Sequence, residues 1–454
     1  MQSLDRFFKL KENNTSVATE IFAGLTTFMT IAYILIVHPS ILAVTGMDWG
    51  AVFTATAISS AAATLMMAIY AKYPFALAPG MGINAFFAYT VGLSYGWQVA
   101  LLAVFIEGLI FISLSFFKVR EAIFDAIPRS MKVAVSAGIG LFITFIGLVN
   151  GGVVRMNIPD APVGLGNLNS TTVILVLIGT VITMVLFGRD VKGSLLLGIL
   201  ATWAMGIVCQ AAGLYVVDVD AGMYSLIPTG VFAMPPSVES VNIFVAAEHV
   251  VYEHNIGILE FVIVLFTFLF VDIFDTIGTI IGVSEKAGFL DKNGRLPRLN
   301  RVLLSDAVGT VIGSTLGTST VTTYVESAAG VAVGGRTGLT ALTVSALFAI
   351  SLFFSPIFVT IPAFATAPPL VLVGFFMMQN VVKIDFKDVT EGIPAFLTII
   401  MMPLTYSIAE GIIFGTISHV VLKFVTGRRK EVNTVMLVLA AIFVARLVGQ
   451  AMGY

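Results

Sequence analysis

The sequence predicts an all-α integral membrane protein of fourteen transmembrane helices in a 7+7 inverted repeat, with short broken helices or strands in spans three and ten. Three observations predict it. Of 454 residues, 58% are hydrophobic and 11% charged, with a mean hydropathy of +1.00, beyond what a water-soluble globular chain needs. Apolar runs long enough to cross the hydrocarbon core recur along almost the whole length. Two of the shorter apolar segments are interrupted by Gly, Pro or polar β-branched residues and correspond to each other across the chain.

The first half places spans near 17–37, 50–71, 80–94, 98–117, 131–149, 171–188 and 192–213, and the second near 258–282, 299–316, 324–335, 338–354, 366–382, 392–407 and 409–426. Residues 214–257 form a long connecting loop between them. An apolar run from Val435 to Val448 follows the basic cluster Arg428-Arg429-Lys430; it fits an extra span, a surface helix or a dimer contact. Nothing at the N-terminus reads as a cleaved signal peptide, since the first apolar run lacks a small-residue cleavage site.

Positive charge orients the spans. Arg6, Lys9 and Lys11 precede the first span, Lys72, Lys118, Arg120, Arg129, Lys132, Arg189 and Lys192 fill alternate connections, and Lys286, Lys292, Arg295, Arg298 and Arg301 lie between spans eight and nine. The stretch from Gly213 to Ile256 has no Lys or Arg but holds Asp218, Asp220, Glu239, Glu248 and Glu253, which places it outside with the N-terminus in the cytoplasm. Seven spans per half then make the second half enter the membrane in the opposite sense to the first.

The two broken segments fix where to look for function. A shift of 242 residues carries Asn84 onto Glu326 and Gly92 onto Gly334, and lays Thr30 and Tyr33 on Asp272 and Asp275. Pro79-Gly80 interrupts the first segment and Gly317-Thr-Ser-Thr-Val-Thr-Thr precedes the second. Breaks of this kind free backbone groups that hydrocarbon cannot satisfy, so they occur where protein or a polar cavity satisfies them. Two short strands there can pair with each other, and the helices that follow aim their N-terminal dipoles at a ligand. A single break would be read as a packing kink; a symmetric pair points to a site at the bilayer midplane.

The second half supplies acids. Asp272 and Asp275 share a face of span eight, Asp306 lies in span nine and Glu326 sits a few residues into span ten, with no Lys or Arg in mid-span nearby. Carboxyls in that setting suit proton transfer, and a carboxyl with the Asn84 amide suits two-point hydrogen bonding to a planar heterocycle. The set is poor for a bare anion, which calls for a cation. Asp275 and Asp306 are as readily structural, and Glu107 and Glu410 more readily so. Thr323 and Tyr324 flank Glu326, and an aromatic face for a ring is expected from Phe86, Phe87, Phe274 or Tyr324.

Other chemistry is excluded by pattern. Gly80-Met-Gly82-Ile-Asn-Ala85 matches a dinucleotide fingerprint, but no βαβ unit surrounds it. Gly309, Gly313 and Gly317, like Gly278 and Gly282, are spaced for close helix packing. Cys209 is the sole cysteine, and His38, His249, His254 and His419 do not cluster, so neither a disulfide nor a metal site is expected. Asp291-Lys-Asn293-Gly294 reads as a tight turn, and His249 and His254 as solvated. No phosphate loop, hydrolase elbow or nucleophile–base set is present, which argues against an enzyme, a bound cofactor or ATP-driven work. A net charge of −2 gives no reason to expect nucleic acid.

At Ala78-Pro-Gly-Met-Gly-Ile-Asn84-Ala-Phe-Phe-Ala-Tyr, Val271-Asp272-Ile-Phe-Asp275-Thr-Ile-Gly-Thr, Gly288-Phe-Leu-Asp-Lys-Asn-Gly-Arg-Leu-Pro-Arg-Leu-Asn-Arg301 and Thr318-Ser-Thr-Val-Thr-Thr-Tyr-Val-Glu326-Ser-Ala-Ala-Gly330, the chain resembles the AzgA-type purine permeases of the nucleobase–cation symporter-2 superfamily. The resemblance runs from about Phe7 to Lys430, without departure at these strings. It implies a core domain of 17–118 and 258–360, a gate domain of 128–213 and 361–427, and a C-terminal apolar segment, 431–454, outside that plan. It further implies import of a purine base (adenine, or guanine and hypoxanthine) with protons across the plasma membrane, which in a bacterium is the inner membrane. Asn84, Asp272 and Glu326 would contact the base, Asp275 would be a second acid important for transport, and a homodimer through the gate domain is common among such proteins.

The expectation is therefore a proton-coupled purine symporter working by alternating access. Glu326 would hold the base edge, Asp272 would bind or supply the proton, and Asn84 would orient the ring, with Phe274, Thr323 and Tyr324 as further contacts and Asp275 and Glu326 sharing the proton coupling. An uncoupled facilitator or channel is the alternative of another class, and a transporter of anions or other nucleobases on the same fold is a third.

Overall fold

The computed structural model describes all residues except 1, 118–127, 159–160, 218–222, 229, 254–255, 292–295 and 452–454. Helices dominate. In the first half they are α1 (Gln2–Phe8), α2 (Val17–Ile31), α3 (Ile34–Leu42), α4 (Trp49–Met66), the short α5 (Met81–Ala85) and α6 (Leu93–Tyr95), α7 (Trp97–Phe117), α8 (Arg129–Asn150), α9 (Thr171–Gly188) and α10 (Ser194–Ala211). The second half holds α11 (Ile243–Glu253), α12 (Ile258–Ala287), α13 (Leu299–Leu316), α14 (Ser327–Ala332), α15 (Gly338–Ser351), α16 (Ser355–Phe358), α17 (Ala363–Met378), α18 (Val389–Thr405), α19 (Ile408–Val425) and α20 (Thr434–Ala451). Strands are few: β1 (Leu77–Pro79), β4 (Val321–Thr323), and a hairpin of β2 (Val154–Ile158) and β3 (Ala161–Leu165) that the sequence reading did not foresee.

Among the described residues, ten helices are long and apolar enough to cross a membrane. The first is a 29-residue stretch from Val17 to Thr45 that joins α2, α3 and a 3-10 turn. Its helix relaxes at Ala32–Tyr33, and Pro39 removes an amide donor within α3. Polar side chains start the other long helices where the sequence changes from loop to apolar run. Asp48 caps α4 by accepting from the Ala51 amide at 2.7 Å, and Asp388 caps α18 through the Thr390 amide at 3.0 Å.

Helices pack closely within two sets. Helix α13 lies between α4 and α7, and α15 between α2 and α4; separately, α8 packs on α17 and α18, α18 on α19, and α9 on α10 and α17. Small residues permit these approaches, as the spacing of Gly309 anticipated. A Cβ on Gly309 would stand 2.6 Å from the Ala63 Cβ of α4, and one on Gly374 would stand 2.3 Å from the Gly140 carbonyl of α8. Large apolar side chains such as Val181, Val208 and Val425 are exposed, as expected of helices that face lipid. Cys209 is half-buried in α10. His249 lies half-buried on α11, less solvated than expected, while His254 and the turn at 292–295 lie outside the described residues.

Candidate substrate site

The two broken segments meet. Strands β1 and β4 pair antiparallel, with Leu77 opposite Thr323, Ala78 opposite Thr322 and Pro79 opposite Val321. The pairing extends on both sides, where the Gly80 amide donates to the Thr320 carbonyl (3.0 Å) and the Tyr324 amide to the Ala76 carbonyl (2.9 Å). Backbone groups at the outer edges of this ribbon are satisfied by side chains. The Thr64 hydroxyl donates to the Leu77 carbonyl (3.1 Å) and accepts from the Leu77 amide (2.9 Å), the Ala76 amide donates to Ser327 Oγ (2.9 Å), and Thr310 Oγ1 donates to the Val321 carbonyl (3.0 Å). This is the satisfaction that an irregular segment among apolar helices requires.

From the ribbon the chain re-enters helices in both directions. Helix α5 begins after Gly80 and passes into a π-helical stretch, Phe86–Gly92, while α14 begins after Glu326. The two halves are offset here. Asn84 stands inside α5, whereas Glu326 occupies the N-cap of α14, so residues that match in sequence differ in place along their helices.

The offset separates their environments. Asn84 is fully buried; its Nδ2 donates to the Pro79 carbonyl (3.2 Å) and its Oδ1 accepts from Ser319 Oγ. The same Pro79 carbonyl accepts from the Tyr324 hydroxyl, which ties α5 and β4 together at one oxygen. Glu326 instead faces a cavity of about 180 Å³ whose lining includes Thr30 and Ala329 on one side and Phe187, Lys192 and Phe376 on the other. Its Oε1 accepts from the Tyr33 hydroxyl at 3.0 Å, at the point where α2 gives way to α3. Tyr33 had drawn notice in the sequence only because the 242-residue shift lays it on Asp275.

The acids of α12 divide as well. Asp272 is buried with Oδ1 2.9 Å from Thr276 Oγ1, and that hydroxyl also lies 2.7 Å from Asp306 Oδ2 and 2.7 Å from Thr322 Oγ1. Thr323 Oγ1 donates to Asp306 Oδ1 at 3.3 Å. The Thr276 hydroxyl thus links both acids to the ribbon. Asp275 lies on the ribbon side, where a Cβ on Gly80 would stand 3.0 Å from its Oδ2 and 2.7 Å from Thr322 Cγ2. It is close enough to Asp272 and to Glu326 to interact electrostatically with both.

Of the aromatic candidates, Phe86 and Phe87 are fully buried and packed around Phe268, at centroid distances of 4.7 and 6.5 Å. Both meet Phe268 edge-on. Tyr324 is buried with its hydroxyl on the Pro79 carbonyl, and the Phe274 side chain lies outside the described residues. Glu107 accepts from Thr320 Oγ1 at 2.8 Å, one residue from Ser319. His38, passed over in the sequence because it clusters with no other histidine, is fully buried with Nε2 2.6 Å from Thr318 Oγ1. Five residues beyond Asn84, the Tyr89 hydroxyl accepts from Asn150 Nδ2 (2.8 Å) and its ring stands edge-on to Tyr406 (5.5 Å). No cluster of metal-ligating side chains occurs among the described residues.

The chain is similar to known proteins in sequence and in fold. The model of the Permease family matches residues 18–414. The chain is 48% identical to the putative permease MJ0326 of Methanocaldococcus jannaschii over 99% of both chains. It is 43% identical to the guanine/hypoxanthine permease PbuO of Bacillus subtilis, covering 97% of this chain and 99% of that one. With the adenine permease AdeP of Escherichia coli K12 it shares 40% identity, covering 98% and 96%. Among solved structures, the transmembrane domain of the cyanobacterial bicarbonate transporter BicA superposes with a TM-score of 0.62 at 13% identity, covering 88% of this chain and 97% of that one, and so has the same inverted-repeat fold. The chain is a multi-pass membrane transporter and belongs to the Permease family.

Proposed function

We propose that the protein is a proton-coupled symporter of a purine nucleobase, either adenine or guanine and hypoxanthine, working by alternating access. The observation that carries this reading is the cavity that opens onto Glu326, three residues beyond the strand that pairs with the first broken segment. The relatives named for adenine and for guanine and hypoxanthine supply the substrate class. The proposed core comprises 17–118 and 258–360 and the gate 128–213 and 361–427; the two closely packed sets of helices support that division. With the N-terminus in the cytoplasm, the cavity, bordered by Asp190 and Lys192, opens inward and the Tyr89–Asn150–Tyr406 contacts close the outside. Such an arrangement is an inward-facing state.

In this mechanism Glu326 binds the base edge from the N-cap of α14, where its carboxylate accepts ring N–H groups and Tyr33 holds it in place. Asp272, with Thr276 and Asp306, holds the coupling proton, and Asp275 passes it between that cluster and Glu326. Asn84 acts one step back, by fixing the Pro79 carbonyl and the course of the break, and Thr323 orients Asp306. Tyr324 offers a ring beside the base. The bilayer is the plasma membrane, and pairing through the gate with a second copy accords with related folds.

Uptake of radiolabelled adenine, guanine, hypoxanthine, xanthine and uracil in competition, with and without a protonophore, tests the reading. One purine should win, and its accumulation should collapse with the gradient; uptake indifferent to the protonophore would make the protein a facilitator. Glu326→Gln and Asp272→Asn should each abolish accumulation. Normal pH-dependent accumulation in both would refute the roles assigned to them.

A further inference from the structure

The apolar run beyond Arg428-Arg429-Lys430, left open by the sequence, forms an 18-residue helix, α20. One side of it is buried, through Met436, Leu439 and Phe443, with the Phe443 ring 6.3 Å from Phe266 of α12. The other side exposes Leu437, Val438, Val444 and Val448, a lipid-facing surface. The helix is about 27 Å long, close to the thickness of the hydrocarbon core, although its apolar stretch, Thr434–Val448, is shorter than those of the ten long helices. It contains a single charge, Arg446, 9% exposed.

A cation in such a helix is costly unless paired. Arg446 is paired twice. One guanidinium nitrogen, Nη1, lies 2.6 Å from Glu410 Oε1 at the start of α19, and Nε lies 3.5 Å from Glu260 Oε2 at the start of α12. The Tyr95 hydroxyl reaches the same Glu260 oxygen at 3.4 Å. The guanidinium fork can serve two carboxylates at once, which a point charge does less well. On the domain reading above, on which this inference rests, α19 belongs to the gate and α12 to the core. The starts of α19 and α12 lie at the outer ends of these helices, the side that Tyr89, Asn150 and Tyr406 close.

We propose that α20 is a further transmembrane span that straps the gate to the core, and that Arg446 is a positioning residue for transport which holds the outer side shut. The Glu410 contact anchors the helix to the gate. The Glu260 contact reaches across the seam and breaks when the core moves to open outward. The strap therefore weights the equilibrium toward the inward-facing state, since only that state has both carboxylates in reach.

The test uses the full chain in a Cys209→Ser background, spin-labelled at two cysteines introduced at Leu93 and Leu404, exposed residues at the outer ends of the two domains. Glu260→Gln removes only the arm to the core and leaves the Glu410 anchor; Arg446→Gln removes both. Each should shift the distance distribution toward longer separations, raising the outward-open population by about 10-fold. An unchanged distribution in Glu260→Gln overturns the proposal whatever Arg446→Gln does, because only the former isolates the bridge from the anchoring of the helix. The distances need no substrate. A wild type that takes up no purine while the labels move as expected would defeat the transport reading and leave the strap standing; purine uptake with immobile labels would do the reverse.

Discussion

A carboxylate near the start of α2 decides where α15 begins. Glu20 is fully buried, with Oε1 accepting the Arg336 amide at 2.8 Å and Oε2 accepting the amides of Thr337 and Thr340 at 3.2 Å each and the Thr340 hydroxyl at 2.6 Å. These are donors that a helix N-terminus leaves without partners, and a negative charge there also meets the helix dipole. Glu20→Ala should destabilise the protein by about 3 kcal/mol, visible as a lower thermal midpoint in detergent, and Glu20→Gln by less because it keeps one acceptor. Nothing in the sequence marks this role, since a Glu in the first turn of a span looks like a membrane-interface residue. Glu326 and Asp272 stood out because a charge amid apolar residues needs a reason. Tyr33, Ser319 and Thr276 did not, because hydroxyls are common in such helices and only their partners distinguish them.

The breaks were legible at the level of elements. Pro79-Gly80 and the run of β-branched polar residues before Glu326 each forbid a continuous helix, and their symmetric spacing made the pairing of two strands an expectation that β1 and β4 meet. What the sequence concealed was the phase of the two helices. An equal shift along the chain does not imply an equal place along a helix, since the residues between strand and N-cap differ in number between the halves. That is why Asn84 is enclosed while Glu326 faces a cavity. The close fit at Gly80 gives a prediction at this scale. Gly80→Ala would place a methyl group 2.7 Å from Thr322 Cγ2 and 3.0 Å from Asp275 Oδ2, within the ribbon itself. Uptake should fall on the order of 100-fold with surface expression kept, because displacement of a positioning element costs more in transport than in folding. Uptake within twofold of wild type would show that the ribbon tolerates a shift.

At the scale of the molecule, a cluster of charges gathers where α18, α19 and the turn before α20 converge. Lys423 pairs with Glu391 at 2.6 Å and Glu431 at 2.7 Å, and Arg428 pairs with Asp388 at 2.6 Å and Glu431 at 2.8 Å. Arg428, and then Lys423, hold the Glu431 carboxyl down at about 2, and Arg428 with Thr390 holds Asp388 well below the usual carboxylate range. A depressed carboxyl contributes stability above its ordinary value, 4.5 for Glu431, and loses it as pH falls through about 2. Asp388 and Glu431 thus stay charged from pH 5 to 8. Arg428→Gln should lower the thermal midpoint by the same increment at pH 5 and pH 8; a loss confined to one of them would place a titrating group in the cluster. Positive charge and span length made the inverted halves readable, whereas the packing of α20 depended on one arginine whose two partners lie far away in sequence.

The ribbon of β1 and β4 also sets an order of events during biosynthesis. Its first strand leaves the ribosome about 240 residues before its partner, roughly 12 to 50 s earlier at ordinary rates of synthesis. Through that interval the chain carries an open strand edge in or beside the bilayer, where each unmet amide or carbonyl is costly. Thr64, which bonds both the amide and the carbonyl of Leu77, belongs to the half already made and can guard part of that edge from the start. The rest must wait, so neither half is a finished unit, and the transporter completes its centre only when its second half arrives.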